Sequence, residues 1–421
     1  MSSDMTIPSD KIRHDHSCEG EREDNLLPGP EALEHGLDVY FPRLRIFNST
    51  RSLRSSSIYE EIQEELHRIM STVVGEEFSE HVPDSVSQSL RATAWNIERG
   101  TALEGISQVL ATHPRIKGSD VLFLTELDFG MARSNNLCVP RELARRLGLN
   151  YAYSNCYISL VKGSGLEYDV VGKNKWSLHG NALFSRYPLR NVQAIALPNG
   201  KDKMQGKEKR LGFQQAVAAL VDYPGAPFWA VTLHLDAHSS QRHRLRQMKL
   251  VLDHLEMLQP SLPILIGGDW NTSTYNAKRA TWAILGYVRR VLMGVRNVID
   301  NHYPYPDRWF ERKLFRELRK RGYDYESLNQ PGECTLHYNV DDVALNTNMG
   351  DWVPGWCFWF IRWALQKSGG SCSMKLDWFA GRDVEVVHPE PTVISNIRNK
   401  SNPLSDHDPI VLDFELLSHS D

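Results

Sequence analysis

The sequence predicts an α/β domain on mixed sheets, with its chemistry gathered at one rim. Three observations carry this. Apolar runs of strand length repeatedly carry polar residues two apart, mostly at their ends, amphipathic segments separate several of these runs, and two runs meet at a tight turn.

Taken in order, ATAWNIE ends in Asn96 and Glu98, VLFLTELD in Glu126 and Asp128, and LHGNALFS holds His179 and Asn181. WAVTLHLD ends in His234 and Asp236, ILIGGDWN in Asp269 and Asn271, KLDWF supplies Asp377, and LSDHDP places Ser405 and His407 before a final strand. Side chains alternate along a strand, so Asp269 and Asn271 are expected to point the same way and converge on one spot. FQQAVAALVDYPGAPFWAVTLHLD reads as a hairpin turning at Pro224 and Gly225, which argues against a wholly parallel sheet. Helical spacing places Ile58, Ile62, Leu66, Ile69 and Val73 on one face of a helix capped by Ser57. Leu245, Met248, Leu252 and Leu255 do the same for a covering helix capped by Ser239 or Ser240.

A chain of 421 residues can bury one large core with appendages. Its net charge of −4 gives no global attraction to nucleic acid or anionic lipid, though local basic patches remain open. The six cysteines are scattered without a CxxC pair, so ordinary thiols are expected rather than a zinc site. Residues 1–36 have the composition of a disordered tail, 37–89 form an extension with the first helix, and 90–416 hold the main domain. With no signal-peptide core and no apolar run of membrane-spanning length, an intracellular, cytoplasmic protein is the expectation.

Carboxylates, amides and imidazoles without thiolates suit a hard cation, Mg²⁺ or Mn²⁺, for which Glu126 and Glu98 are the first candidate ligands. Asp269 is then free to orient or deprotonate water, Asn271 to donate to a phosphate oxygen, and histidines to neutralise developing charge. Asp377 can fix the tautomer of His407 and favour its cation. Each residue alone has a bland reading as a turn former. Their repetition at strand ends favours a site, because burying unpaired charge is costly.

The ordered set WNIERG, TELD, HGNALFSR, LHLD, GGDWN, KLDWF and LSDHDP resembles the endonuclease/exonuclease/phosphatase superfamily from about residue 90 to 416. The resemblance implies a four-layered α/β sandwich: two mixed, mostly antiparallel sheets face to face, helices outside, and an active site at one rim. It implies metal-dependent hydrolysis of a phosphoester, more in the manner of a diesterase. It casts Asn96 as support for the catalytic Asp269, Glu126 as principal metal ligand and Asp406 as a further carboxylate near the metal. His234 and His407 correspond to the paired histidines of the deoxyribonuclease-like and sphingomyelinase-like branches, and Asp377 to the partner of the second. Asn181 falls at a phosphate-contacting position, and His179 is either a second such contact or structural. The substrate stays open between nucleic acid, phospholipid and inositol phosphate or another small phosphoester, as does a non-catalytic scaffold that keeps the fold.

A span at about 278–374 reads as an insertion. Its segment YPDRWFERKLFRELRKRG sets Phe310, Leu314 and Leu318 against Arg312, Lys313, Arg316, Arg319, Lys320 and Arg321. That pattern suits a phosphate-rich or membrane surface, or simply a solvated face. In DWVPGWCFWFIRWALQK, Trp356, Trp359, Phe360 and Trp363 share a stripe, too short to span a bilayer, for which burial in the core is the expected fate. An exposed aromatic patch beside the rim would favour a lipid substrate, and a basic helix lining the rim a nucleic acid.

Overall fold

The computed structural model describes residues 26–79, 89–224, 226–272, 280–341, 357–398 and 403–417. Its strands are β1 (Val73–Glu76), β2 (Leu90–Arg99), β3 (Val121–Phe129), β4 (Asn150–Ser159), β5 (Leu178–Ser185), β6 (Leu189–Leu197), β7 (Arg210–Gly212) and β8 (Gln214–Val221). They continue as β9 (Phe228–Thr232), β10 (Ile264–Asp269), β11 (Leu336–Asn339), β12 (Ser371–Met374), β13 (Asp377–Arg382), β14 (Val384–Val386), β15 (Thr392–Val393) and β16 (Ile410–Leu416). The principal helices are α1 (Ser57–Ser71), α2 (Leu103–Thr112), α3 (Val139–Leu147), α4 (Gln241–Leu255), α5 (Ala280–Leu292), α6 (Arg312–Lys320) and α7 (Cys357–Leu365).

A nine-stranded sheet runs β1-β4-β5-β3-β2-β16-β14, with β7 on β4 and β15 on β16, and a five-stranded sheet runs β13-β10-β9-β8-β6. Only β2–β3 and β9–β10 pair in parallel among the described strands. The predicted hairpin is β8–β9, antiparallel in register Val217↔Thr232, though Gly225 of its turn lies outside the described residues.

Three apolar cores make the layers. Between the sheets, Ala92, Val121, Phe123 and Leu183 meet Val217, Phe228, Leu265 and Phe379. Outside the larger sheet, Ile106, Leu110 and Leu143 of α2 and α3 pack with Ile58, Ile62 and Ile69 of α1. Outside the smaller sheet, Met248, Val251, Leu252 and Leu255 of α4 pack with Leu314, Phe315 and Leu318 of α6. The fold is thus the expected α/β sandwich of two mixed sheets with helices on both outer faces.

Local details depart from expectation. The composition of residues 1–36 suggested a tail, yet in the described part Leu33 is fully buried in the outer core and His35 Nε2 lies 2.7 Å from Trp176 O. A few apolar residues suffice to dock a polar segment. Helix α1 begins after Ser56 and ends before Val73, which starts β1, so the helical spacing continued past the true end. In α6 the buried face is Leu314, Phe315 and Leu318; Phe310 precedes the helix.

The two glycines before Asp269 have separate causes. A Cβ on Gly267 would stand 2.8 Å from the Phe123 ring, so a ring of the facing sheet takes the space of a side chain here. Gly268 has φ +135°, and a Cβ there would meet the Leu233 carbonyl oxygen at 2.2 Å. Gly268→Ala therefore combines a glycine-only conformation with a backbone collision and is expected to cost about 2–4 kcal/mol. The urea midpoint should fall at unchanged m-value; a wild-type midpoint would show that the strand end tolerates a Cβ.

Candidate active site

The strand tips do not deliver their side chains by simple alternation. Glu98 (φ 44°), Arg99 (φ 68°), Glu126 (φ 58°) and Asn271 (φ 52°) all adopt left-handed backbone conformations. In β2 and β3 the pairing register slips between Asn96 and Arg99 and between Leu124 and Leu127. Such irregularities re-aim side chains at a sheet edge. Asp269 and Asn271 do converge, but through the turn: Asn271 N donates to Asp269 Oδ1 at 2.9 Å and Asn271 Nδ2 to Asp269 Oδ2 at 3.2 Å.

Asp269 Oδ2 is the hub. It accepts from Asn96 Nδ2 at 3.1 Å, lies 3.4 Å from His234 Nε2 and 3.8 Å from His407 Nε2. Asp377 Oδ2 sits 2.7 Å from His407 Nδ1, fixing the ring so that Nε2 faces Asp269. The His407 loop is tied to β2, because Ser405 Oγ donates to Asn96 O at 2.6 Å and Trp95 Nε1 to His407 O at 2.8 Å. Asn96, Asp269, Asn271, His234, Asp377 and His407 are all buried. Asp269, Asp377 and His407 bring ligand atoms within 4.8 Å of one another. Within this trio Asp377 and His407 are joined through Oδ2 and Nδ1, which leaves His407 Nε2 facing Asp269.

A second cluster faces a cavity of about 260 Å³, lined by Glu98, Glu126, Asp406, His179 and His234 among others. Asn96 joins the clusters, its Nδ2 reaching Glu126 Oε1 at 3.2 Å as well as Asp269. Burial opposes charge on Glu126, yet Arg99, His234 and His179 hold its carboxyl well below the usual range. Glu98 is pushed up to about 8 by burial and by the charge of Asp406, with Glu126 adding to it against Arg99. Asp406 is raised by burial, with His407 opposing and Glu126 reinforcing. Burial lifts Asp269 to about 6, His407 and His234 restraining the rise and Asp377 adding to it. Burial disfavours the His407 cation, but Asp377, Asp269 and Asp406 overcome it and raise the imidazole well above its ordinary value. Three partly exposed, mutually repelling carboxylates with no thiol beside them fit a hard divalent cation.

A family model described as the Endonuclease/Exonuclease/phosphatase family matches residues 93–407. The chain belongs to that family. No curated protein matches significantly. Among solved structures, an endonuclease/exonuclease/phosphatase from Beutenbergia cavernae is similar at TM-score 0.46 and 15% identity, covering 79% of this chain and 72% of that one. A 3'-5' exonuclease from Neisseria meningitidis gives 0.43 at 14% identity, with 78% and 100% covered. The human Nocturnin catalytic domain with bound sulfate gives 0.42 at 16%, with 82% and 97% covered.

Two of the residues expected to contact phosphate hydrogen-bond within the protein. Asn181 Oδ1 accepts from Glu126 N at 3.3 Å and its Nδ2 donates to Gln215 O at 2.9 Å, so it supports the Glu126 backbone. Both amide protons of Asn271 are directed within the protein, to Leu235 O at 2.9 Å and to Asp269 Oδ2. His179 does line the cavity, but its Nδ1 is bound to Asp128 Oδ1 at 2.9 Å, and burial lowers the imidazole despite that partner.

Sequence reasoning passed over Arg99, Lys203, Arg210 and His238, which also line the cavity. Arg99 stood inside the quoted WNIERG, and the run KDKMQGKEKR was a legible basic loop. The basic helix α6 takes no part in the lining: Arg321 pairs with Asp253, Glu256 and Glu317, and Arg319 with Glu326. The aromatic stripe is not core either. Trp359 is 66% and Trp363 57% exposed, while Trp356 lies outside the described residues.

Beneath His179, Arg133 binds Asp128 at 2.7 and 2.9 Å and reaches Glu167 at 3.0 Å and Glu208 at 3.3 Å, with 1% of its side chain exposed. Arg133→Met would leave buried carboxylates without their cation, and a loss of about 3–5 kcal/mol is expected in urea unfolding. A loss under about 1 kcal/mol would show that Asp128 and Glu208 are held by their other partners alone.

Proposed function

We propose that this chain is a divalent-metal-dependent phosphodiesterase that acts by in-line attack of water. The observation that carries the reading is the joining, through the single amide of Asn96, of a proton-handling group and a carboxylate group suited to a metal. Asp269 Oδ2 takes the proton from the attacking water as the new P–O bond forms and the bond to the leaving oxygen breaks. Burial suits it to that task, since its carboxyl at about 6 is a better base than an exposed aspartate. His407, kept cationic by Asp377, and His234 face the same oxygen and neutralise charge on the phosphoryl oxygens.

Glu126, Asp406 and Glu98 would hold Mg²⁺ or Mn²⁺. When bound, the cation supplies charge neutralisation to the phosphate and its leaving oxygen. Asn96 and Asn181 keep Glu126 in place for that role.

A soluble diester, bis(4-nitrophenyl) phosphate, provides the direct test. Hydrolysis should vanish with EDTA and return with Mg²⁺ or Mn²⁺, and Asp269→Ala or His407→Ala should lower kcat by about 10²-fold or more. Near-normal turnover in a folded variant would remove that residue from the mechanism. Asp377→Ala combined with His407→Ala should be no slower than His407→Ala alone, because the aspartate acts through the imidazole. Glu126→Ala should instead raise the Mg²⁺ concentration needed for half-maximal rate, and an unchanged Mg²⁺ titration would take Glu126 out of the ligand set.

A further inference from the structure

The span from α5 to β12 lines a second cavity, of about 290 Å³, that shares Asp406 with the site. Its walls come from α5, from β11 and β12, and from α7, with Val291, Val298, Tyr338, Ile361 and Leu365 giving it an apolar lining. Asp406 lines both this cavity and the one that holds Glu126 and His234. The junction is fixed by backbone pairing: Leu336 bridges His407, and Asp408 N donates to Thr335 O at 2.7 Å. The apolar chamber therefore shares the Asp406 side chain with the rim cavity as a common wall. Its volume is about twice that of the roughly 150 Å³ cavity that stays dry and takes benzene in an engineered protein, enough for a length of aliphatic chain.

The outer faces of the same helices are apolar as well. Trp282, Leu285 and Leu292 on α5 and Trp359, Phe360 and Trp363 on α7 are between 41% and 82% exposed. Such side chains are ordinary when scattered singly, but here they crowd two helices of 13 and 9 residues. The helices are joined, since Tyr287 Oη donates to Phe360 O at 2.6 Å. Exposed Arg289, Arg296 and Arg362 stand among them, the latter two also facing Asp300 and Asp341. Tryptophan and leucine beside arginine is the composition of a surface that lies in a lipid headgroup boundary. Among the described residues no helix is long and apolar enough to cross a membrane, so contact would be from one side.

We propose that the diester hydrolysed here is a phospholipid drawn from a bilayer surface, with α5 and α7 resting in the headgroup boundary and the chamber behind them taking the apolar chain next to the phosphate. The proposal rests on the phosphodiesterase reading. Water cleaves one P–O bond of the headgroup, one fragment leaving as an alcohol and the other as a phosphomonoester, and no further reactant is needed.

The test uses the full chain and vesicles of phosphatidylcholine with phosphatidylserine. Sedimentation with the vesicles is measured for the Asp269→Ala protein, and for the same protein carrying Trp359→Asp and Trp363→Asp. The aspartates should weaken binding by about tenfold or more while the thermal transition stays that of the parent. In the active protein, the same pair, or Ala364→Phe, which fills the chamber, should lower phospholipid hydrolysis by a similar factor and leave bis(4-nitrophenyl) phosphate turnover unchanged. Turnover of the soluble diester with no binding or cleavage of vesicles would overturn the proposal. So would a dimer that the two aspartates convert to monomer, or a single-stranded DNA affinity that they abolish, in each case without vesicle binding. Vesicle binding with neither diester cleaved would overturn the catalytic reading and leave the docking face supported.

Discussion

The amide of Asn96 lies between Glu126 and Asp269, and the rest of the site is arranged around that contact. It ties the end of one sheet to the end of the other: Asn96 belongs to β2, Glu126 to its parallel neighbour β3, and Asp269 to β10 of the facing sheet. The packing between the sheets, with Phe123 against Phe379 at 5.9 Å and Gly267 beneath them, sets the distance over which this amide must reach. A small shift of one sheet would break the contact that joins the Asp269 and Glu126 carboxylates. The interior resists such a shift because it is close-packed and has few voids to absorb it.

The left-handed residues at the strand tips belong to the same design. Glu98, Glu126 and Asn271 hold conformations that are uncommon for residues other than glycine, and each stands at or beside the proposed chemistry. Strain of this kind persists where surrounding contacts over-determine it. Asn181 holds the Glu126 amide, Asn96 Oδ1 holds the Glu98 amide at 3.1 Å, and Asp269 holds that of Asn271. Side-chain oxygens of Asn181, Asn96 and Asp269 are thus the acceptors that hold these three backbone positions.

Charge follows geometry. Arg99, Arg133 and Arg210 stand among buried carboxylates near the cavity, so the rim is an ion network rather than a plain acidic patch. Arg99, with His234 and His179, keeps Glu126 ionised, while burial and the neighbouring carboxylates push Glu98 and Asp406 the other way despite Arg99 and His407. Helices α5 and α7 with strands β11 and β12 then add a chamber and an apolar face anchored to the loop that carries His407.

The sequence by itself determined the layered α/β architecture, the β8–β9 hairpin and the identity of the rim. Strand alternation, helical spacing and turn residues act over short ranges, and the rim motifs stand in an order that marks the family. Composition also misled: Leu33 docks within a segment that reads as a tail, and Val73 continues a helical period inside a strand. Only the tertiary structure decided which polar residues face the cavity and which brace it, because Asn181 and Asn271 look alike in sequence until their hydrogen-bond partners, distant in the chain, are known. It likewise decided that Trp359 and Trp363 face outward and that Asp406 walls two cavities. A stripe of tryptophans is equally suited to a core or a surface, and what settles the matter is whether another element lies across it.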